Sequence, residues 1–313
     1  PLAPLSALLA IAFLIAGLIV LVLDLGKPDR LIVAMTTYNF KSIFSWNIFL
    51  YSGFAVVLAV YMWTMLDREV NRFSKYAGTF AFGWRIILTT GTGSIFGFLV
   101  AREAYATAIL APLFIVMSLL YGTAVYYLIL KTISKFHNTY ISDDIVKNLR
   151  KLTIMFLFAN LYFLFLYHIT NMYIAKHLDY EIFILSSGGI YTIAFWVGQL
   201  FVGIIMPIIL MNSSRLSLEY SLILSSVLIL IGSFIAMYVI IIGGQAYPLT
   251  IFPDHVIIES SFYDNVVHSY IPSLYELGLG LGGVALALII VLIGIANFKF
   301  LPTIIKPANV IPD

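Results

Sequence analysis

Five ionisable side chains stand at places in this sequence where an apolar chain has little use for charge. Asp24 closes a 22-residue apolar run, Leu2–Leu23. Arg102 and Glu103 follow the stretch GTGSIFGFLVA. His168 lies in LYHITNMY, and Glu276 in YIPSLYE. Ionisable groups inside or at the ends of apolar helices are costly and mark candidate functional positions. Three carboxyls and an imidazole can take up and release protons, while a guanidinium holds a fixed positive charge. The chemistry this set suits is proton exchange in a poorly solvated place. For any one of the five, a salt bridge or interface anchor at a helix end is the ordinary explanation.

The elements that must position these groups are membrane helices. The chain has 313 residues, of which 62% are hydrophobic and only 10% charged. A water-soluble domain is nearer a quarter charged. Mean hydropathy is +1.03. The expected fold is therefore an all-α polytopic bundle. Apolar runs near the ~20 residues that a bilayer needs predict eight helices, at about 2–23, 44–66, 81–101, 104–131, 150–175, 188–211, 217–243 and 273–299. Two half-bundles, 1–103 and 104–313, are expected, the second carrying a long loop, 244–272. No cysteine is present. That excludes disulfides, covalently attached c-type haem and iron–sulfur clusters held by this chain. A net charge of +2 points to no nucleic-acid partner.

The distribution of Lys and Arg sets an expected orientation. The side reached by the end of the first helix carries five of them, and the opposite side carries twelve. The positive-inside rule places the second side, with both ends of the sequence, in the cytoplasm. Asp24, Arg102, Glu103 and Glu276 then gather toward the outer face, with His168 about two-thirds along its helix toward it. The acidic loop 244–272 lies outside as well.

Gly93 and Gly97 form a small-xxx-small face that suits close helix packing. Thr89, Thr90, Thr92 and Ser94 beside them are expected to bond back to their own helix. His168 is the best single candidate for proton or haem chemistry, with a hydrogen-bonded packing role as the plain alternative. Bis-histidine haem ligation needs a second buried His, and His137, His177, His255 and His268 all read as loop residues. Haem is therefore disfavoured. Asn160, two turns before His168, and Gln199 extend a polar thread as a candidate proton path. Pro207 predicts a kink that frees a backbone carbonyl.

Several separated motifs carry a family likeness. DLGKPDR followed by TYNFKSIFSW resembles the signature of the NrfD-like family of polysulfide-reductase membrane subunits. GTGSIFGFLVAREAYATAILAPLFI, GGQAYP and YIPSLYELGLGLGGVAL resemble the branch that includes membrane subunits of hydrogenases and sulfur-compound reductases. The likeness runs over essentially the whole chain. It implies a haem-free bundle in the cell membrane that exchanges electrons with a quinone, menaquinone-like or of archaeal type, near the outer face. It also implies a docked ferredoxin-like iron–sulfur subunit and a catalytic molybdopterin or nickel–iron subunit. Members usually carry a helix before the DLG-proline helix, so a preceding segment is expected here.

On that resemblance, Asp24 and Arg30 match the loop motif, and Arg102 and Glu103 match the outer end of a later helix. Lys27 stands where Arg is commoner. Lys27, Asp29, Arg30, Asn39 and Trp46 form the expected partner-docking loop. Asp24 and Glu103 would relay protons, Arg102 would steady anionic quinone states, and Tyr105 would bond a quinone carbonyl. His168 and Glu276 would lead into the second half. A secondary transporter, or a passive anchor, is the alternative. Transporters place substrate at the midplane between paired repeats, and no repeat is evident here.

Overall fold

The computed structural model describes residues 2–136, 141–248, 267 and 270–298. Among them every regular element is helical. The long helices are α1 (Ala3–Asp24), α2 (Ile43–Leu66), α3 (Ser74–Gly97), α4 (Leu110–Phe136), α5 (Asp143–Tyr173), α6 (Ile190–Asn212), α7 (Leu218–Ala246) and α8 (Leu274–Asn297). Seven are long and apolar enough to cross a membrane. The exception is α3, which forms as a helix but carries Lys75, Arg85 and five threonines and serines between Thr79 and Ser94. Outward-facing side chains such as Phe49, Val56 and Trp63 on α2 are apolar, as a lipid-facing surface requires.

Packing groups the chain into two compact units, divided between Thr92 and Gly93. The sequence places that division at 103/104 and the last helix in the second half. The compact units instead put α8 with α1, α2 and most of α3. In this first unit α8 runs antiparallel to α1. Gly283 of α8 meets Val20, and Gly294 meets Leu8. Phe54, Leu58 and Leu88 form a core between α2 and α3, lined by Leu50 and Trp84. Gly53 makes room for the Trp84 ring, whose Nε1 donates to the Leu50 carbonyl at 3.0 Å.

The second unit holds the end of α3 and α4 to α7. Two glycines bring α6 and α7 together: a Cβ on Gly232 would lie 2.1 Å from the Gly203 Cα. Pro207 lacks the N–H that would close a normal turn onto Gly203. The backbone just before it, Ala194–Ile205, takes wider π turns, an adjustment by which membrane helices re-satisfy the groups that a proline frees. The Ser225 hydroxyl donates to the Pro207 carbonyl at 3.4 Å. A second π stretch, Tyr238–Gly243, closes α7.

Several expected boundaries change, among them the start of α3, at Ser74 and not 81, and both ends of α4, Leu110–Phe136 and not 104–131. α5 begins at Asp143, not near 150, because Asp143 and Asp144 favour a helix N-terminus and carry the helix past its apolar part. The helix expected over 81–101 ends at Gly97. Beyond it Ala106 takes a left-handed φ of 58°, and the chain turns back so that the Thr107 carbonyl would stand 2.8 Å from a Cβ on Gly97. Gly93 is pressed equally closely by Leu110 and Ala111, so both glycines are packing positions. The segment after α5, expected as a loop, is helical: a 3-10 turn Ala175–His177, a short helix Leu178–Ile182 and π turns Phe183–Ser187. The loop 244–272 lies for the most part outside the described residues.

Candidate functional site

One face of α5 carries the site. Asn160, Leu164, Tyr167, His168 and Asn171 recur at helical spacing and are all buried. The short helix Leu178–Ile182 brings Glu181 against this face. Glu181 is 1% exposed, His168 9% and Asn171 0%. His168 Nδ1 lies 2.7 Å from Glu181 Oε2, and Asn171 Nδ2 donates to Glu181 Oε1 at 2.9 Å. His177 Nδ1 stands 3.2 Å from Asn171 Oδ1. The four side chains form one continuous chain of hydrogen bonds, His177–Asn171–Glu181–His168. A buried carboxylate needs such partners, since an unpaired one carries a large desolvation cost.

The partners fix which atoms hold hydrogen. With Asn171 Nδ2 turned to the carboxylate, Oδ1 faces His177, so His177 must carry its hydrogen on Nδ1. Burial pushes the His177 pKa down, and the neighbouring Lys176 adds to that against the pull of Glu181. The His168 ring sits edge-on between Tyr167 and Phe195. The Tyr167 hydroxyl donates to the Ala104 carbonyl at 2.6 Å, tying α5 to the 98–109 turn.

Beside this chain of bonds lies a small cleft of about 40 Å³, lined by Arg102, Glu103, Lys176 and Tyr247 among others. Glu103 Oε2 is buried in it and accepts no hydrogen bond among the described residues. Its carboxyl is held above the usual range, first by desolvation and then by Asp179, against Lys176. Burial, with Glu103 and Asp179 nearby, pushes the Tyr247 hydroxyl up to about 12. Lys176 Nζ donates to the Val100 carbonyl at 3.4 Å.

Arg102 and Tyr105 serve the end of α7. Arg102 Nη1 donates to the carbonyls of Gln245, at 2.9 Å, and Tyr247. The buried Tyr105 hydroxyl donates at 3.0 Å to Ile240 and at 3.2 Å to Ile241, within the π turns. The carbonyls of Gln245 and Tyr247 lie where the helix stops supplying donors.

Residues 1–248 match the family described as polysulphide reductase, NrfD. The chain belongs to the NrfD family. It is 26% identical over 304 residues, covering 95% of this chain and 75% of the relative, to the Hdr-like menaquinol oxidoreductase integral membrane subunit of Archaeoglobus fulgidus. It is 21% identical to a selenate reductase subunit of Mesobacillus selenatarsenatis, covering 88% and 72% of the two chains.

Every site residue singled out from the sequence, Glu276 excepted, falls within the stretch matched to the NrfD family. In the first unit Asp24 is exposed at the end of α1. The register of α1 on α8 carries Glu276 to the same end of that pair. Glu276 closes a capping box, its Oε2 accepting from the Ser273 N–H at 2.6 Å. Lys27, Asp29 and Arg30 are exposed on a 3-10 turn, Pro28–Arg30. Asn39 Oδ1 accepts from the Lys41 N–H at 3.1 Å within the loop, and Trp46 Nε1 in the first turn of α2 donates to the Phe40 carbonyl at 2.9 Å, so both shape the loop before α2. In the second unit Arg102 and Glu103 share the cleft. Gln199 and Asn160 are buried, and Gln199 Oε1 has no partner among the described residues.

Glu181, Asn171, His177 and Tyr167 are site residues not singled out from the sequence, and for Glu181 and His177 the sequence carries no local signal. His177 corrects the expectation that the histidines other than His168 lie in loops, for it is buried and bonded. His137, His255 and His268 lie outside the described residues. Asn171 was within reach of sequence reasoning, since it continues the Asn160–His168 stripe by one more step.

Proposed function

We propose that the chain is the integral membrane subunit of a respiratory oxidoreductase complex, exchanging electrons and protons between a membrane quinone and an iron–sulfur partner subunit. The observation that carries this reading is a buried, titratable assembly inside a membrane bundle of the NrfD family. Each two-electron step at a quinone moves two protons, and these need groups that bind and release protons out of bulk water. Glu103, with an unpartnered buried oxygen, is one such group, and the His168–Glu181 pair is another. The name of the Archaeoglobus relative supports a menaquinone-like substrate.

The cleft beside Glu103 suits water and protons. A drug-sized ligand pocket spans roughly 300–1,000 Å³, far above the cleft's 40 Å³. We therefore assign the quinone head group to the Asp24 end of α1, where a second carboxyl, Glu276, shares the level. Arg102 and Tyr105, with their donors engaged by α7, hold the frame around Glu103. The partner is a ferredoxin-like iron–sulfur protein docked at the 27–46 loop, wired to a molybdopterin or nickel–iron catalytic subunit. The orientation that fits the Lys and Arg distribution puts that loop outside the cell membrane.

The test is Asp24→Asn in the purified complex. Quinol turnover should fall on the order of 100-fold, the usual contribution of a positioned acid–base group, while all subunits still co-purify. Wild-type turnover would make Asp24 a helix-end residue only.

A further inference from the structure

We infer that the Glu181–His168 pair is a proton-holding site that loads and empties during turnover, and that the Asn171 amide reverses its orientation as it does so. The inference rests on the quinone-linked reading above.

In the proposed emptied state Glu181 is a carboxylate, with the neutral His168 donating its Nδ1–H to Oε2; loaded, the pair holds one more proton, as carboxylic acid with imidazole. In the observed arrangement the bonds all run one way: His177 Nδ1–H to Asn171 Oδ1, and Asn171 Nδ2–H to Glu181 Oε1. This direction demands a bare Oε1. A proton arriving on Oε1 would meet the Asn171 amide hydrogen, and two donors cannot share that contact. Rotating the amide resolves it. Oδ1 then accepts the Glu181 O–H, and Nδ2 donates to His177 Nδ1, once His177 has released its Nδ1 hydrogen to water and taken one from water on Nε2. One proton enters, no bond in the chain is lost, and the polarity of the chain is reversed. When the proton leaves, the amide turns back. Asn is the residue type that allows this, because its two ends are equal in size and opposite in hydrogen-bonding character.

The surroundings favour a pair that changes by one proton and no more. His168 and Asn171 face Glu181 from α5, His177 from its own segment, and Tyr167 and Tyr180 close the sides. Tyr247 packs its ring on Tyr180, and Phe195 of α6 covers the His168 ring. The cations close by are Lys176, which acts on His177, and Arg102, which shares the cleft with Lys176. Lys176, the residue before His177, also lines the Glu103 cleft.

The test is pH-difference infrared spectroscopy on the purified complex in lipid, with wild type, Glu181→Gln and His168→Gln. Glutamine at 181 keeps an acceptor for Asn171 and a polar group for His168 while removing the proton site. The wild type should show one carboxyl C=O band that titrates, accompanied by an amide side-chain band. Both should vanish in Glu181→Gln. In His168→Gln the carboxyl band should remain and titrate at a different pH, which decides the question if Glu181→Gln fails to assemble. The pH–rate profile of Glu181→Gln should lose one limb. Superimposable difference spectra for wild type and Glu181→Gln, or a His168→Gln band unmoved in pH, would overturn the proposal. Wild-type complex that turns over quinol yet shows no such band refutes the proton-holding site alone. Wild-type complex inert toward quinol refutes the broader functional reading.

Discussion

Glu181 Oε2 stands 2.7 Å from His168 Nδ1, thirteen positions earlier in the chain. The link pins the short helix Leu178–Ile182 to the buried face of α5. It makes a segment outside the long helices part of the interior of the second unit.

Asn171 bridges that link to His177, and its removal should be costly. Asn171→Leu keeps the volume but strips Glu181 Oε1 of a donor and His177 of an acceptor. Leaving a buried polar group unpaired costs about 1–3 kcal/mol, so thermal denaturation should show a clear drop in Tm. Glu181→Gln, which keeps a bonding group at each position, should lose less.

Glu103 gives a pH-dependent prediction with a definite sign. Its folded pKa is raised from 4.5, chiefly by desolvation. The folded state therefore holds the proton more firmly than the unfolded chain does. The stability it contributes is present in full below pH 4.5 and is lost as pH rises through the raised folded value. Glu103→Gln abolishes that loss. The Tm of the variant relative to wild type should rise as pH increases from 4.5, and a difference independent of pH would contradict the assigned burial.

The α6–α7 contact depends on glycine. In Gly232→Ala the new methyl would sit 2.1 Å from the Gly203 Cα, so the two helices must separate. Overpacking of this kind costs about 1–3 kcal/mol or more. Gly122→Ala on α4 is the control. Nothing lies within 4 Å of its Cβ position, and replacing a helix-interior glycine should be neutral or stabilise by up to about 1 kcal/mol. Melting curves of the two variants distinguish a packing glycine from an idle one.

Arg102 holds the last carbonyls of α7. Arg102→Ala should raise hydrogen–deuterium exchange over 240–247, with a cost of about 1.5–3 kcal/mol for charge-assisted bonds lost. Exchange confined to the 98–105 turn would mean that α7 ends securely without it.

The all-α bundle, the end of α1 at Asp24 and the packing role of Gly93 and Gly97 were legible because long apolar runs and small-residue spacing have direct physical meaning. So were the hydroxyls of Thr89, Thr90 and Thr92, which bond back to Arg85, Ile86 and Leu88. The start of α5 was hidden because Lys147, Arg150 and Lys151 look like loop charge once a helix leaves the bilayer. Glu181 and His177 were hidden for a different reason. Helices of 3 and 5 residues are too short to show a period, and π turns have no sequence signature. The pairing of Glu181 with His168 is a tertiary fact that local pattern cannot supply.

The proposed electron exchange between a quinone and an iron–sulfur partner can be observed at the cluster itself. The most direct measurement is electron paramagnetic resonance of the natively purified complex before and after adding menaquinol, with quinone quantified by extraction. A cluster-bearing protein should co-purify, quinone should be bound in stoichiometric amount, and the cluster signals should change on quinol addition. A preparation with no cluster protein, no quinone and no spectral response would contradict it.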